Sequence, residues 1–174
     1  MRQLLLMRHA KSSWDDPKLS DHTRPLNARG RAAAVAMRQV MADLGLAPDL
    51  ILVSSARRTL QTLAALEPWD ETPLVEPMDS LYLADVPALF AALNGVAETA
   101  RSVMVIGHNP GMHELALALA GPLDEANGHM RHLAEGYPTG ALAEFSVPGP
   151  WGTLAAGGAR LVRFVAPRDL TEKA

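Results

Sequence analysis

Apolar residues fall along this chain in two rhythms. Three short unbroken runs stand out: Leu4-Leu5-Leu6-Met7, Leu50-Ile51-Leu52-Val53 and Val103-Met104-Val105-Ile106. Four apolar residues without polar alternation predict a strand covered on both faces, as in a parallel sheet. Between the runs the spacing changes to three and four. Ala33, Met37, Val40, Met41 and Leu44 predict a helix over about 28–44, with Asn27 as its N-cap and Gly45 as its stop. Gly30 costs that helix a little and allows close approach to the loop before it. A second helix is predicted from Arg57 to Leu66, ahead of Pro68. Val86, Leu89, Phe90 and Leu93 predict a third over 86–94, closed by Gly95; a fourth runs from Met112 to Ala120 and ends at Gly121.

The remaining segments are weaker. A short strand is expected at Leu74-Val75-Glu76. Residues 141–147 and 161–165 read as extended, separated by the turn Pro148-Gly149-Pro150-Trp151-Gly152, and are expected to pair as a hairpin at one sheet edge. Segments 11–26 and 121–139 read as loops, the second with room for a helical turn near His129 to Leu133. The pattern does not decide 81–83, and the tail from Pro167 is polar. Strand, helix, strand, helix, helix, strand, helix is an α/β order. The expected architecture is three layers, α/β/α, around a mostly parallel central sheet, in a single domain over residues 1–174.

Composition narrows the function classes. The 174 residues are 48% hydrophobic and 20% charged, which predicts a folded domain rather than a disordered one. The formal net charge of −3 argues against a nucleic-acid binder but leaves room for a local cationic pocket. No cysteine is present, so disulfides and thiolate chemistry are excluded. No apolar run approaches the ~20 residues of a membrane span. The first residues do not read as a signal peptide, so a cytoplasmic location with no membrane partner is expected.

Candidate chemistry sits at the ends of the three apolar runs. The first ends in Arg8-His9, the second in Ser54-Ser55-Ala56-Arg57, the third in Gly107-His108-Asn109. In an open parallel sheet, the carboxyl ends of neighbouring strands share one crevice. Arg8, Arg57, His9 and His108 would meet there, with two helix N-termini pointing in, an arrangement that suits a phosphate dianion. A neutral imidazole can also attack phosphorus and carry the phosphoryl group, while guanidiniums and a second histidine stabilise the transition state. A carboxylic acid is then wanted for the leaving group; Asp21, Glu76 and Asp79 are at hand, and the residues alone do not choose.

Leu6-Met7-Arg8-His9-Ala10 resembles the Arg-His-Gly signature of the histidine phosphatase superfamily, also called phosphoglycerate mutase-like. Ser20-Asp21-His22-Thr23-Arg24-Pro25-Leu26 is similar to the Asp-x-x-Arg-Pro-Leu segment of the SixA-type branch. Residues 54–62 look like its Ser-x-x-x-Arg-x-x-Gln-Thr motif, Gly107-His108-Asn109-Pro110-Gly111 like its second-histidine motif, and Tyr137-Pro138-Thr139-Gly140-Ala141 like a late loop. The resemblance implies a phosphoglycerate mutase-like fold and a metal-independent phosphatase with no cofactor. His9 would become phosphohistidine, and Arg8, Arg57 and His108 would complete the phosphate pocket. Arg24 would touch phosphate or orient its loop. Asp21 is the first candidate for the acid and Asp79 the second. The implied substrate is a phosphorylated protein, with phosphohistidine foremost, or another phosphoester. Ala10 replaces the usual glycine and requires φ below zero there.

Other residues read as structural. Arg58 is expected on the surface, because neighbouring helical positions do not share a face. Lys11, Ser12 and Ser13 fit either a pocket entrance or a plain polar loop. His113 lies five after His108 rather than at the spacing of a zinc-binding helix, and no Asp, Glu and His cluster has ligand spacing. His22, His129 and His132 read as loop histidines. Trp69 and Trp151 read as packing residues, as does Trp14, which is also placed to edge the pocket. Two alternatives stand beside the phosphatase: a phosphoglycerate mutase-type transferase, which the shortness of the chain disfavours, and a non-catalytic phosphate-binding module.

Overall fold

The computed structural model describes residues 1–171, of Thr171 only the backbone. The last three positions of the expected domain lie outside the described residues. Six strands form one sheet: β1 (Arg2–Arg8), β2 (Leu50–Ser54), β3 (Leu74–Met78), β4 (Ser102–Gly107), β5 (Leu142–Val147) and β6 (Arg160–Val165), in the spatial order β3-β2-β4-β1-β5-β6. The first four are parallel; β5 runs antiparallel to β1, and β6 antiparallel to β5. The predicted terminal hairpin therefore forms, and it extends the parallel block from β1.

The unbroken apolar runs have a direct cause. Leu4, Leu6, Leu50, Leu52, Val103 and Val105 belong to one buried cluster. Leu5, Met7, Ile51, Val53, Met104 and Ile106 belong to a second. Alternate side chains of a strand point to opposite faces, so strands covered on both sides must be apolar at every position. Helices α1 (Ala28–Asp43), α2 (Arg57–Ala65) and α6 (Pro167–Thr171) lie over the second cluster. Helices α3 (Val86–Asn94), α4 (Gly111–Ala120) and α5 (Gly128–Glu135) cover the first. The molecule is the three-layer, phosphoglycerate mutase-like arrangement.

Local signals account for the element ends. The Asn27 side chain accepts from Gly30 N at 2.8 Å and opens α1. A Cβ on Gly30 would stand 2.1 Å from Lys11 O, so only glycine lets α1 approach the preceding loop. Pro77 is tolerated in β3 because β3 is an edge strand. The segment read as loop with one helical turn is the two-turn helix α5. Asn127 accepts from His129 N and Met130 N, and Met130 and Leu133 bury against the sheet. Tertiary burial extends a pattern too short to be decisive alone. Among the described residues no helix is long and apolar enough to cross a membrane.

Register then positions the chemistry. Arg8 pairs with Gly107 across β1 and β4, and Val53 with Ile106 across β2 and β4. All three chains leave the sheet at one level, beside the point where β1 changes from a parallel to an antiparallel neighbour.

Candidate active site

The backbone that carries His9 is held on every side. His9 N donates to Gly107 O at 3.0 Å, Ala10 N donates to Thr62 Oγ1 at 2.9 Å, and Gly140 N reaches Arg8 O and His9 O. Ala10 is fully buried and does not have positive φ, so it takes the place of glycine without strain. The His9 Nδ1 lies 2.7 Å from Ala10 O. A carbonyl only accepts, so Nδ1 carries the proton and the Nε2 lone pair is free. Burial, opposed by the Ala10 hydrogen bond and reinforced by Arg58, Arg8 and Arg24, lowers the His9 pKa to about 4. At neutral pH its ring is uncharged, with an unprotonated Nε2.

His108 faces it, with ring centroids 5.3 Å apart. Arg58 Nη2 lies 3.3 Å from His108 Nδ1, and Ser54 Oγ lies 2.7 Å from Nε2. A guanidinium only donates, so Nδ1 accepts and Nε2–H donates to Ser54. Burial first, then His9 and Arg58, lowers the His108 pKa to about 3, against an upward pull from Asp21. Arg8 Nη1 donates to Tyr137 O at 3.0 Å, and the Nε of Arg8 and of Arg58 is buried without a hydrogen-bond partner. Buried Arg58 and half-buried Arg8, beside two neutral imidazoles, bring donors and positive charge ready for a dianion.

The arginine from β2 is not the one expected. Arg57 is exposed, its side chain donates to Thr23 O at 3.4 Å, and it does not line the pocket. Arg58 is 2% exposed and lines it. The buried residues of α2 are Arg58, Thr59, Thr62 and Leu63, two adjacent rows one turn apart. Arg57, at the first helical position, projects outside that face. The signal was in the sequence: counting Ser-x-x-x-Arg-x-x-Gln-Thr from Ser54 puts its arginine at 58 and its threonine at Thr62, which holds Ala10 N.

Asp21 lines the pocket, as expected, and its carboxyl is fully engaged there. Oδ1 accepts from Arg24 Nε and Nη2, both at 3.1 Å; Oδ2 accepts from Arg58 Nη2 at 2.9 Å and from the Tyr82 hydroxyl. Partial burial pushes the carboxyl up, but the hydrogen bonds from Tyr82, Arg58 and Arg24 outweigh it and hold it well below the usual carboxylate range. A group kept ionised is poorly suited to donate a proton. Asp79 does not line the pocket, and Glu76, opposite Leu52 in mid-strand, lines a different groove.

Arg24 is 7% exposed, lines the pocket, and is held by Asp21, by Ser12 Oγ at 2.7 Å and by Ser13 O at 3.1 Å. Its guanidinium lies 3.5 Å over the Trp14 ring. Lys11 and Ser12 line the pocket, and Ser13 does not. Tyr82 was not anticipated; it comes from the undecided stretch 81–83 and packs edge-on against His108 and His22. His22 bonds Ser55 Oγ, His113 bonds Leu133 O and His132 bonds Asp169, so these serve local structure. Among the described residues no group of three or more His, Asp or Glu is placed to hold a metal ion. The pocket measures about 480 Å3 and also touches Leu83, Asn109 and Thr139.

Two neutral imidazoles among arginines meet at the shared end of three parallel strands, a setting suited to a phosphate group. Comparison with known proteins agrees. Residues 4–78 match the model of the histidine phosphatase superfamily (branch 1). The solved structure of a proposed phosphohistidine phosphatase SixA from Nakamurella multipartitia is 32% identical, covers 95% of this chain and 96% of its own, and superposes with a TM-score of 0.83. The protein histidine phosphatase SixA complexed with tungstate shares the fold, at 24% identity and a TM-score of 0.77, over 97% of this chain and 99% of its own. An uncharacterised protein of Mycobacterium tuberculosis is 35% identical over 93% of this chain and 100% of its length. The chain belongs to the histidine phosphatase superfamily, and its structural neighbours include SixA proteins.

Proposed function

We propose that the protein is a metal-independent phosphatase that removes phosphoryl groups from phosphohistidine on a protein through a covalent intermediate on His9. The observation that carries this reading is the His9 ring: Nδ1 is tied to Ala10 O, Nε2 is free, and the pKa lies at about 4. In the first step Nε2 attacks phosphorus and the bond from phosphorus to the leaving nitrogen breaks. In the second, water attacks phosphorus, the bond to Nε2 breaks, and inorganic phosphate leaves. Arg8 and Arg58 hold equatorial oxygens, where charge accumulates, and the His108 Nε2–H, which donates to Ser54 Oγ in the free site, is exchanged onto a third. Arg24 adds positive charge at the entrance.

The state of Asp21 supports phosphohistidine over alkyl phosphoesters. Asp21 is the one carboxylate lining the pocket among the described residues, and it is held ionised. An alkoxide leaving group is about as basic as hydroxide, with a conjugate-acid pKa near ~15.7 for water, and needs an acid. An imidazole, with a conjugate-acid pKa of ~6.5, takes a proton from solvent on its far nitrogen and leaves as a neutral ring. The 32% identical SixA relative is itself proposed to act on phosphohistidine.

The test uses phosphoramidate and a phosphohistidine-bearing protein, each in excess EDTA, with His9→Ala alongside. Turnover that survives EDTA, vanishes in the variant and yields an acid-labile, alkali-stable phosphoenzyme is expected. Turnover abolished by EDTA would overturn the metal-free mechanism. Binding of phosphate without turnover would make the pocket a binding module.

A further inference from the structure

Two of the four most exposed large apolar side chains among the described residues, Trp14 at 75% and Leu83 at 55%, line the one pocket that is otherwise cationic. They arrive on separate loops, after β1 and after β3. Both are held in place. One face of Trp14 is covered by the Arg24 guanidinium at 3.5 Å, and Arg24 is itself fixed by Asp21, Ser12 and Ser13. Leu83 has φ of 50°, the one non-glycine residue with positive φ among those described. A leucine there is strained, and such strain persists only where the surroundings over-determine it. Here they do. Tyr82 on one side is tied to Asp21. Ala84 on the other donates to Leu81 O at 3.3 Å, and its carbonyl packs so closely on α4 that a Cβ on Gly111 would stand 2.1 Å from it.

Singly exposed apolar residues are ordinary. A tryptophan and a strained leucine, both clamped through Asp21 at the entrance of one anion pocket, are not a scatter. The Leu83 side chain and the ring face of Trp14 offer an oxyanion neither donor nor charge. An apolar surface beside that oxyanion would be covered, and ordered exposed aromatics are the usual anchors of a protein contact.

Resting on the phosphohistidine reading above, we infer that Trp14 and Leu83 form a specificity rim that selects substrates in which apolar side chains flank the phosphohistidine. The rim binds the neighbours of the phosphorylated residue while Arg8, Arg58 and His108 bind its phosphate. Asp21 joins the two functions, because it holds Arg58 inside and, through Arg24 and Tyr82, both rim residues outside.

The experiment compares kcat/KM on two helical peptides, each with one phosphohistidine, flanked at i−4 and i+4 by leucine in one and serine in the other. Phosphoramidate serves as the substrate with no flanks. The expected result is a preference of roughly tenfold or more for the leucine peptide, the size of a modest apolar pocket contact. Trp14→Ser and Leu83→Gly should each shrink that preference several-fold and together abolish it. Leu83→Gly should also raise the melting temperature, since glycine removes the strain, so a loss of preference there cannot be ascribed to unfolding. Equal rates on the two peptides, or a preference that survives both substitutions, would overturn the rim while leaving the phosphohistidine reading intact. Turnover of phosphoramidate with neither peptide cleaved would overturn the phosphohistidine-protein reading and the rim with it.

Discussion

The floor and the entrance of this pocket are built by different means. Arg8, His9 and His108 come from the ends of two hydrogen-bonded parallel strands, where the register of β1 and β4 leaves them no freedom of placement. Arg24, Trp14, Tyr82 and Leu83 come from two loops, and their order depends on side chains gripping one another. One carboxylate, Asp21, joins the two regions through Arg58, Arg24 and Tyr82. The difference teaches that a sheet end can present reactive groups on backbone geometry alone, whereas loops presenting a recognition surface need a charged anchor to order them.

The largest expected effect separates the two arginines at the start of α2. Arg58→Ala should lower kcat/KM on phosphoramidate by about 10²–10³-fold, the usual loss when one oxyanion donor is removed. Arg57→Ala should change it by less than about threefold, as for an exposed residue outside the pocket. Comparable losses in steady-state assays would mean that the floor is not organised as described.

Asp21→Asn tests the link between floor and entrance. As an anchor, Asp21 should cost roughly 10–100-fold when neutralised, from loosened arginines. The loss should be equal for leaving groups of any basicity. As a proton donor it would cost far more on alkyl phosphates than on p-nitrophenyl phosphate. A Brønsted series with both proteins distinguishes the two.

Gly30→Ala strikes the entrance loop from behind. Its Cβ would press on Lys11 O, so a loss of about 1–3 kcal/mol is expected in urea unfolding. A variant as stable as the parent would show that the loop yields freely and is not a fixed wall.

The mildest effect is on pH dependence. With the His9 pKa at about 4, kcat/KM should be flat as far as His9 is concerned from neutrality down to about pH 5, then fall roughly tenfold per unit below 4. Stability follows the same sign. The unfolded histidine, near pH ~6.5, binds its proton before the folded one does, so the unfolded state holds more protons between the two values. The stability contributed by burying neutral His9 is complete above that window and is lost as pH falls through it toward 4. An acid limb near 6.5 in either profile would mean that His9 is solvated.

Much of this was legible before the structure. Apolar runs with no alternation announce strands buried on both faces, and the residues that end them, Arg8-His9 and Gly107-His108, announce the site, because parallel register brings strand ends together whatever the loops do. Asn27 as a cap and Gly30 as a point of close approach also follow from local rules. What only the tertiary structure decided depends on directions and pairings that no local pattern contains. The face that α2 turns to the sheet made Arg58 rather than Arg57 the inner arginine, although the spacing from Ser54 already pointed to 58. The partners of Asp21 hold its carboxyl ionised, since a carboxyl's proton affinity is set by what surrounds it. The fold back of residues 79–85 brought Tyr82 and Leu83 to the pocket from a stretch with no periodicity to read. Strand ends are placed by backbone hydrogen bonds that sequence patterns encode; charge states and loop positions are placed by contacts between residues far apart in the chain.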